Sequence, residues 1–162
     1  LTASIHENVV SNWNWVEALI ASVPIAILVM LIVWINQFQD APSDAAVGKN
    51  TWVVRTAEQG EWMKLEKPLR LYKQFMIEAF IAVALVGALS FFTDFGTVYA
   101  FMALIPLALV WKAFKMADEW MIKWNNPNAD RQKVPYELLL VNVSTIGIHF
   151  LTGILLAVAY IL

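Results

Sequence analysis

The sequence has 162 residues, a length typical of one domain, but its composition differs from that of a soluble protein. Apolar residues make up 60% of it and charged residues only 15%, against about 25% in typical soluble domains. The absence of cysteine excludes disulfides and cysteine-based metal sites, and the net charge of −2 gives no indication of a nucleic-acid partner. We expect a single domain over residues 1–162, embedded in a lipid bilayer.

Four apolar stretches follow one another along the chain. A helix needs about 20 apolar residues to cross the hydrocarbon core of a bilayer. The stretches therefore predict an all-α integral membrane protein with spans at about residues 15–36, 74–93, 97–116 and 137–162. Two hydrophilic loops separate them, at about residues 37–73 and 117–136.

The basic residues are distributed unevenly among these segments. Six of the eleven Lys and Arg residues lie between the first two spans, and five lie at the end of the third span or in the loop after it. Four spans put both loops on the same side of the membrane. The positive-inside rule then predicts that both face the cytoplasm, with the spans in the plasma membrane.

The first long loop begins with a pair of aspartates, Asp40 and Asp44. On a helix, residues four apart lie on one face, where two carboxylates repel each other. A cation relieves this repulsion, and Mg²⁺ binds through one or two carboxylates together with substrate phosphates. The plain alternative is an ordinary surface pair, because aspartates four residues apart are common.

The residues around the pair also predict local structure. Proline is tolerated in the first turn of a helix but poorly in its interior, so Pro42 predicts a short helix that starts here with Asp40 near its N-cap. Gly48 is expected to end that helix. Residues 51–55, mostly β-branched or aromatic, are predicted to be extended.

The order of residues here resembles the second aspartate-rich motif of the UbiA superfamily of intramembrane prenyltransferases. That motif follows a helix and is carried in this sequence by Asn36, Asp40, Asp44, Gly48, Lys49, Thr51, Val54 and Arg55. The last span is similar as well, with a His followed by Leu-Thr-Gly-x-Leu-Leu at residues 149–156. The resemblance covers essentially the whole chain and is strongest to the branch that prenylates dihydroxynaphthoate in menaquinone biosynthesis.

The resemblance implies both a fold and an activity. The four spans would correspond to the second half of a bundle of about nine helices. The activity would be transfer of an isoprenyl chain from a prenyl diphosphate to an aromatic acceptor. Asp40 and Asp44 would act as catalytic residues by holding Mg²⁺, while Lys49, Arg55 and Asn36 would contact the diphosphate.

The sequence also departs from the family pattern. Asn50, Trp52 and the pair Thr56 and Ala57 replace residues that are usual in the motif, and the first aspartate motif, of the Asn-Asp-x-x-Asp type, is absent. The chain begins with Leu1 rather than Met. We therefore expect an amino-terminal half, in the same protein or in a separate subunit, as a partner, and no activity from the 162 residues alone.

Two other functions are compatible with the sequence. One is a non-catalytic subunit of a larger membrane complex that contributes structure or binds a lipid or quinone. The other is a transporter, which is disfavoured because no charged pair lies in the middle of a span. Polar residues inside the last span are expected to pack or to form hydrogen bonds between helices; they are Asn142, Ser144, Thr145, His149 and Thr152.

Overall fold

A computed structural model describes residues 14–58 and 63–162 of the chain. Residues 1–13 of the predicted domain and residues 59–62 of the predicted first loop lie outside the described residues. The described parts form α1 (Asn14–Ala46), α2 (Trp52–Thr56), α3 (Glu66–Leu89), α4 (Leu107–Trp124) and α5 (Leu139–Ala159). A 3₁₀ helix at Val98–Leu104 precedes α4, and another at Val134–Leu138 precedes α5.

Four segments are long and apolar enough to cross a membrane: Trp15–Ala46, Glu66–Leu89, Val98–Trp124 and Val134–Ala159. The described residues contain no strand, and Glu58 and Lys64 form one isolated antiparallel bridge. The prediction of an all-helical fold with four helices long and apolar enough to span a membrane is therefore confirmed. α1, α3 and α4 extend beyond the predicted spans into the sequence predicted as loops, whereas α3 ends at Leu89 and α5 at Ala159, before the predicted limits at residues 93 and 162.

Each long helix has one buried stripe and one exposed apolar face. In α5, Thr145, Ile148 and Thr152 are completely buried, at the three- and four-residue spacing of one helix face. Exposed apolar side chains such as Ile146 and Phe150 occupy the opposite face. Such an arrangement suits helices that pack together inside a lipid bilayer.

The four spans pack in a closed ring. α1 contacts α3 and α5, the 3₁₀ helix before α4 contacts α3 and α5, and α4 contacts α5. At one end, the backbone N–H of Gly96 donates to Glu17 Oε1 over 3.0 Å. At the other end, Asn142 Nδ2 donates to Asn36 Oδ1 over 2.7 Å. We call this second end, where α1 and α4 finish and α3 and α5 begin, the basic end.

Aromatic side chains hold the basic end together. Phe38 meets Trp120 edge to face at 5.9 Å, and Trp120 stacks on Trp124 at 5.7 Å. Each indole N–H anchors a connecting segment: Trp120 Nε1 donates to the Val134 carbonyl over 2.7 Å and Trp124 Nε1 to the Met63 carbonyl over 3.1 Å. The ends of α1 and α4 are thereby fixed relative to the loops.

Two local predictions are wrong. α1 continues without a break through Asp40, Pro42 and Asp44 to Ala46, so no new helix starts at Asp40. Pro42 removes one backbone donor only one turn before the helix ends, and the buried Phe38 and Ala41 keep this turn packed against its neighbours.

The predicted extended segment is helical instead. Residues 51–55 fall largely within α2, Trp52–Thr56. Val53 and Val54 are buried, and the backbone N–H of Val53 donates to Gln37 Oε1 of α1 over 3.2 Å. Contacts with α1 therefore override the preference of β-branched side chains for strands.

Candidate functional site at the end of α1

The last turns of α1 carry a polar face made of Asn36, Gln37, Asp40 and Asp44. An α-helix advances about 100° per residue, so these four side chains lie within about 100° of its circumference. Gln37 and Asp44 face neighbouring segments, whereas Asn36 and Asp40 are exposed. The structure thus places three of the predicted site residues, Asn36, Asp40 and Asp44, on one side of one helix.

Gly48 reverses the chain directly after the helix. Its φ of +73° lies in the left-handed region, which glycine adopts without steric strain. The N–H of Gly48 donates to the Ala45 carbonyl over 3.2 Å, and the N–H of Lys49 to the Asp44 carbonyl over 2.8 Å. This pattern is a Schellman motif, and it confirms the predicted role of Gly48 in ending the helix.

The same turn brings the side chain of Lys49 back onto Asp44. Lys49 Nζ lies 3.0 Å from Asp44 Oδ1, as an ion pair and a hydrogen bond. The Asp44 side chain is only 10% exposed, whereas that of Lys49 is 62% exposed. One oxygen of a nearly buried carboxylate is therefore satisfied by a cation that remains largely in solvent.

The other oxygen of Asp44 is not satisfied. Oδ2 is buried and has no hydrogen-bond partner in the described part of the chain. Leaving a buried acceptor without a partner costs about 1–3 kcal/mol, and more for a charged group. Asp44 therefore has one carboxylate oxygen that lacks a donor among the described residues.

Asp40 and Asn36 complete the polar face toward the membrane. Asp40 is exposed, and its backbone carbonyl accepts a hydrogen bond from Ser43 Oγ over 2.9 Å. Asn36 Oδ1 accepts the hydrogen bond from Asn142 on α5, and Asn142 Oδ1 is buried without a partner among the described residues. Asn142 therefore positions Asn36 and confirms the expected contact between helices.

Arg55 lies in a different place from the other predicted residues. It borders a pocket lined by Met30, Trp34, Trp52, Arg55, Thr56 and Phe75. In the described residues it forms no ion pair with Asp40 or Asp44, and its own side chain is exposed. The structure thus pairs Lys49 with Asp44 and places Arg55 in separate surroundings.

Asp40 and Asp44 are suitable ligands for Mg²⁺ only as part of a shared shell. The described residues contain no group of three or more His, Cys, Asp or Glu side chains that could hold a metal. Mg²⁺ commonly takes one or two carboxylates and completes its octahedron with water and phosphate oxygens. In chemical type, the two carboxylates of Asp40 and Asp44 fit a shell of that kind.

Two further polar side chains lie at this site: Gln37, which the sequence did not predict, and Thr51, which the sequence indicated only as part of the motif. Gln37 Oε1 binds the first turn of α2, and the hydroxyl of Thr51 is buried without a partner among the described residues. Gln37 could have been found from its position on the same helix face as Asp44, but only if α1 had been extended beyond residue 36. Because Pro42 predicts a new helix that starts at Asp40, Gln37 is predicted to lie in a loop and not on the face of α1 that carries Asp44.

The polar residues of α5 differ in their partners. Thr145 Oγ1 lies 2.7 Å from Tyr72 Oη of α3, which confirms a hydrogen bond between helices. Ser144 Oγ instead donates to the Leu140 carbonyl of its own helix over 2.8 Å. Thr152 Oγ1 is buried without a partner in the described chain. The hydrogen bonds from α5 to other helices therefore concentrate in its half nearest the basic end.

No protein-family model matches the sequence, and neither a curated protein nor a solved structure shows significant similarity to it. The functional interpretation therefore depends on the residues at the end of α1 and on their geometry.

Proposed function

We propose that this chain is the second half of a UbiA-type intramembrane prenyltransferase, and that Asp40 and Asp44 form one side of its Mg²⁺–diphosphate site. The proposed reaction breaks the bond between prenyl C1 and the diphosphate oxygen. A carbon of an aromatic acceptor forms the new bond to C1, and the acceptor releases a proton. The diphosphate leaves with the electron pair of the broken bond.

One observation carries this proposal most directly, and it is the unpartnered oxygen of Asp44. A buried carboxylate oxygen without a donor is destabilising in a purely structural role. It lies one helical turn from the exposed Asp40, at the end of an apolar span and beside a lysine. A cation site for a phosphate-bearing amphiphile explains all of these features.

The residues of the chain have distinct roles in this proposal. Asp40 and Asp44 would hold Mg²⁺, which when bound would supply positive charge to stabilise the departing diphosphate. Lys49 neutralises Asp44 before ligands arrive, and its exposed ammonium can then turn toward a phosphate oxygen. Asn36, held by Asn142, presents its amide at the same helix face.

The proposed orientation puts the basic end in the cytoplasm, with the helices in the plasma membrane. Both loops at this end carry the lysines and arginines, which the positive-inside rule assigns to the cytoplasmic side. Soluble prenyl acceptors and Mg²⁺ would then reach Asp40 and Asp44 from the cytoplasm.

A non-catalytic subunit is the second candidate function. It is favoured by the ion pair of Lys49 with Asp44, since a lysine that already neutralises the carboxylate makes a metal unnecessary. In that case the polar face of α1 would only bind another subunit or a lipid headgroup.

Prenyl transfer measured on the protein purified from its native membrane, with any attached segment or subunit, separates the two. Dihydroxynaphthoate and hydroxybenzoate serve as acceptors, with Asp40→Ala and Asp44→Ala as test variants. Asp118→Ala is a matched control, because Asp118 is exposed and pairs with Lys73 on the surface. We expect transfer to disappear in the first two variants and to persist in the control. Equal transfer in all four proteins would reject the metal role of Asp40 and Asp44, and no transfer by the unchanged protein would reject the enzyme function.

A further inference from the structure

A second candidate binding site lies between α1, α2 and α3, away from the aspartates. Its pocket has a volume of about 170 Å³ and is lined by Met30, Trp34, Trp52, Arg55, Thr56 and Phe75. Trp34 forms the centre: its ring lies 5.9 Å from that of Trp52 and 5.9 Å from that of Phe75. We call it the aromatic pocket.

Two of the polar side chains around this pocket are hydrogen-bonded within the protein. Trp34 Nε1 donates to the Pro68 carbonyl over 3.2 Å, and Thr56 Oγ1 donates to the Trp52 carbonyl over 2.8 Å. The guanidinium of Arg55 has neither an ion pair nor a hydrogen bond to any described residue. An apolar aromatic pocket is thus bordered by one cation without a partner.

The position of the aromatic pocket relative to the bilayer defines what can enter it. Met30 and Trp34 lie in the uncharged stretch at residues 18–35, and Phe75 comes two residues after Lys73. Arg55 belongs to α2, which follows the turn at Gly48 outside that stretch. The pocket therefore has its apolar part in the hydrocarbon layer and its cation at the level of lipid headgroups, where Trp and Arg are favoured.

We propose that the aromatic pocket binds a membrane lipid through its phosphate group and a segment of one hydrocarbon chain. A guanidinium forms two parallel hydrogen bonds with phosphate oxygens, which suits Arg55 better than a lysine. A water molecule in the liquid occupies about 30 Å³, so a pocket of about 170 Å³ holds only a few groups of that size. The pocket therefore has room for part of one hydrocarbon chain but not for a whole lipid. The proposal is independent of the prenyltransferase function.

Lipid binding here has a structural consequence for the neighbouring site. α2 carries Trp52 and Arg55 on one side and is bonded to Gln37 of α1 through the N–H of Val53. A lipid that fills the pocket would hold α2 against α1 and α3, next to the turn that carries Lys49.

The test uses native mass spectrometry of the purified protein with four added compounds. Dioleoylphosphatidylglycerol carries both phosphate and chains, dioleoylglycerol carries only chains, and inorganic phosphate carries only the anion. Farnesyl diphosphate tests whether the pocket belongs to the prenyl-donor site. Arg55→Gln is compared with Arg70→Gln, a matched control, because Arg70 is also exposed and without an ion pair among the described residues but borders a polar pocket.

We expect phosphatidylglycerol to bind, and its affinity to fall about tenfold in Arg55→Gln, the loss typical of a charged hydrogen bond. Arg70→Gln should bind like the unchanged protein. A bulkier side chain in the pocket, in Thr56→Phe, should weaken lipid binding while leaving Arg55 in place.

Four results would overturn the proposal. They are an equal loss in Arg55→Gln and Arg70→Gln, no loss in Arg55→Gln, binding of inorganic phosphate as strong as that of the lipid, and displacement of the lipid by farnesyl diphosphate. The first two would reject Arg55 as the specific contact, the third would reject the hydrocarbon part, and the fourth would assign the pocket to the prenyl donor.

Discussion

Lys49 Nζ lies 3.0 Å from Asp44 Oδ1 because Gly48 turns the chain back onto the last turn of α1. The same reversal bonds the backbone N–H of Lys49 to the Asp44 carbonyl over 2.8 Å. Two contacts thus fix a lysine on a carboxylate whose second oxygen has no partner in the described residues. Replacing Lys49 therefore tests whether a cation can bind Asp44 in its place.

Removing the ammonium in Lys49→Gln should reveal whether a cation replaces it. We expect the free energy of unfolding to fall by about 1–2 kcal/mol without Mg²⁺, because the buried carboxylate loses its charged partner. Mg²⁺ should restore most of this loss, since a ligand that binds only the folded state stabilises it. Thermal unfolding in detergent, with Mg²⁺ and with a chelator, measures both effects.

Lys133→Gln is the matched control for that experiment. Lys133 pairs with the exposed Asp130 at 3.4 Å and is itself 83% exposed, so its loss should change stability little. An unfolding temperature of Lys49→Gln that is equally low with and without Mg²⁺ would contradict cation binding at Asp44.

The hydrogen bond between Tyr72 of α3 and Thr145 of α5 allows a prediction about which hydroxyl is the donor. Thr145 Oγ1 donates its one hydrogen to the Val141 carbonyl over 2.8 Å, so Tyr72 Oη must donate to Thr145. Thr145→Val leaves the buried tyrosine hydroxyl without a partner, which should cost about 1–3 kcal/mol. Tyr72→Phe leaves Thr145 with its own acceptor and should cost about 0.5–1 kcal/mol.

Unfolding of both variants in mixed micelles measures this difference. The control is Ser144→Ala, which removes a hydroxyl that bonds only within α5. A larger loss in Tyr72→Phe than in Thr145→Val would show that the donor has been assigned the wrong way round.

Much of the fold follows from the sequence because the bilayer imposes a simple rule. Apolar stretches of sufficient length predicted four spanning helices, and the structure has four such segments. The continuation of α4 to Trp124 was missed for a physical reason. The buried stripe of α4 that includes Ala113 continues through Ala117 and Trp120 beyond the third predicted span, and average hydropathy does not detect such a pattern.

The candidate site was predictable only in part. The order of Asp40, Asp44, Gly48 and Lys49 predicted the candidate residues, and it correctly predicted the end of the helix at Gly48. The burial of Asp44 depends on the turn at Gly48, and the separate location of Arg55 depends on α2 packing against α1. Contacts of this kind are not local in sequence, so spacing alone does not predict them.

Two glycines with similar backbones provide a comparison of strain and steric clash. Gly48 has a φ of +73° and open space where a Cβ would lie, whereas Gly96 has a φ of +80° and the Val86 carbonyl oxygen only 2.3 Å from that position. Gly48→Ala should therefore cost about 1–2 kcal/mol from backbone strain alone. Gly96→Ala should cost at least about 1 kcal/mol more, because the added atom overlaps the oxygen.

The free energies of unfolding of the two alanine variants test this comparison. Gly147→Ala is the control, because Gly147 lies in α5 with open space around it and alanine favours helices. Equal losses at Gly48 and Gly96 would mean that the close approach of Gly96 to α3 does not exist in solution.

The orientation of the protein can be tested directly because the sequence contains no cysteine. Single cysteines replace Lys133 at the basic end and Asp94 in the exposed connection at the other end. In intact cells, a maleimide that cannot cross membranes should label Asp94→Cys but not Lys133→Cys. Labelling of Lys133→Cys alone would reverse the orientation, and labelling of both would reject the arrangement of four spans.

The most direct test of the central claim is Mg²⁺-dependent binding of radiolabelled farnesyl diphosphate to the protein purified from its native membrane. Binding should disappear with a chelator and should weaken at least about tenfold in Asp40→Asn and in Asp44→Asn, because each removes one carboxylate from the proposed cation site. Asp118→Asn, with its surface pair to Lys73, should bind like the unchanged protein. Binding that persists without Mg²⁺, or that is the same in all three variants, would contradict a metal–diphosphate site at the end of α1.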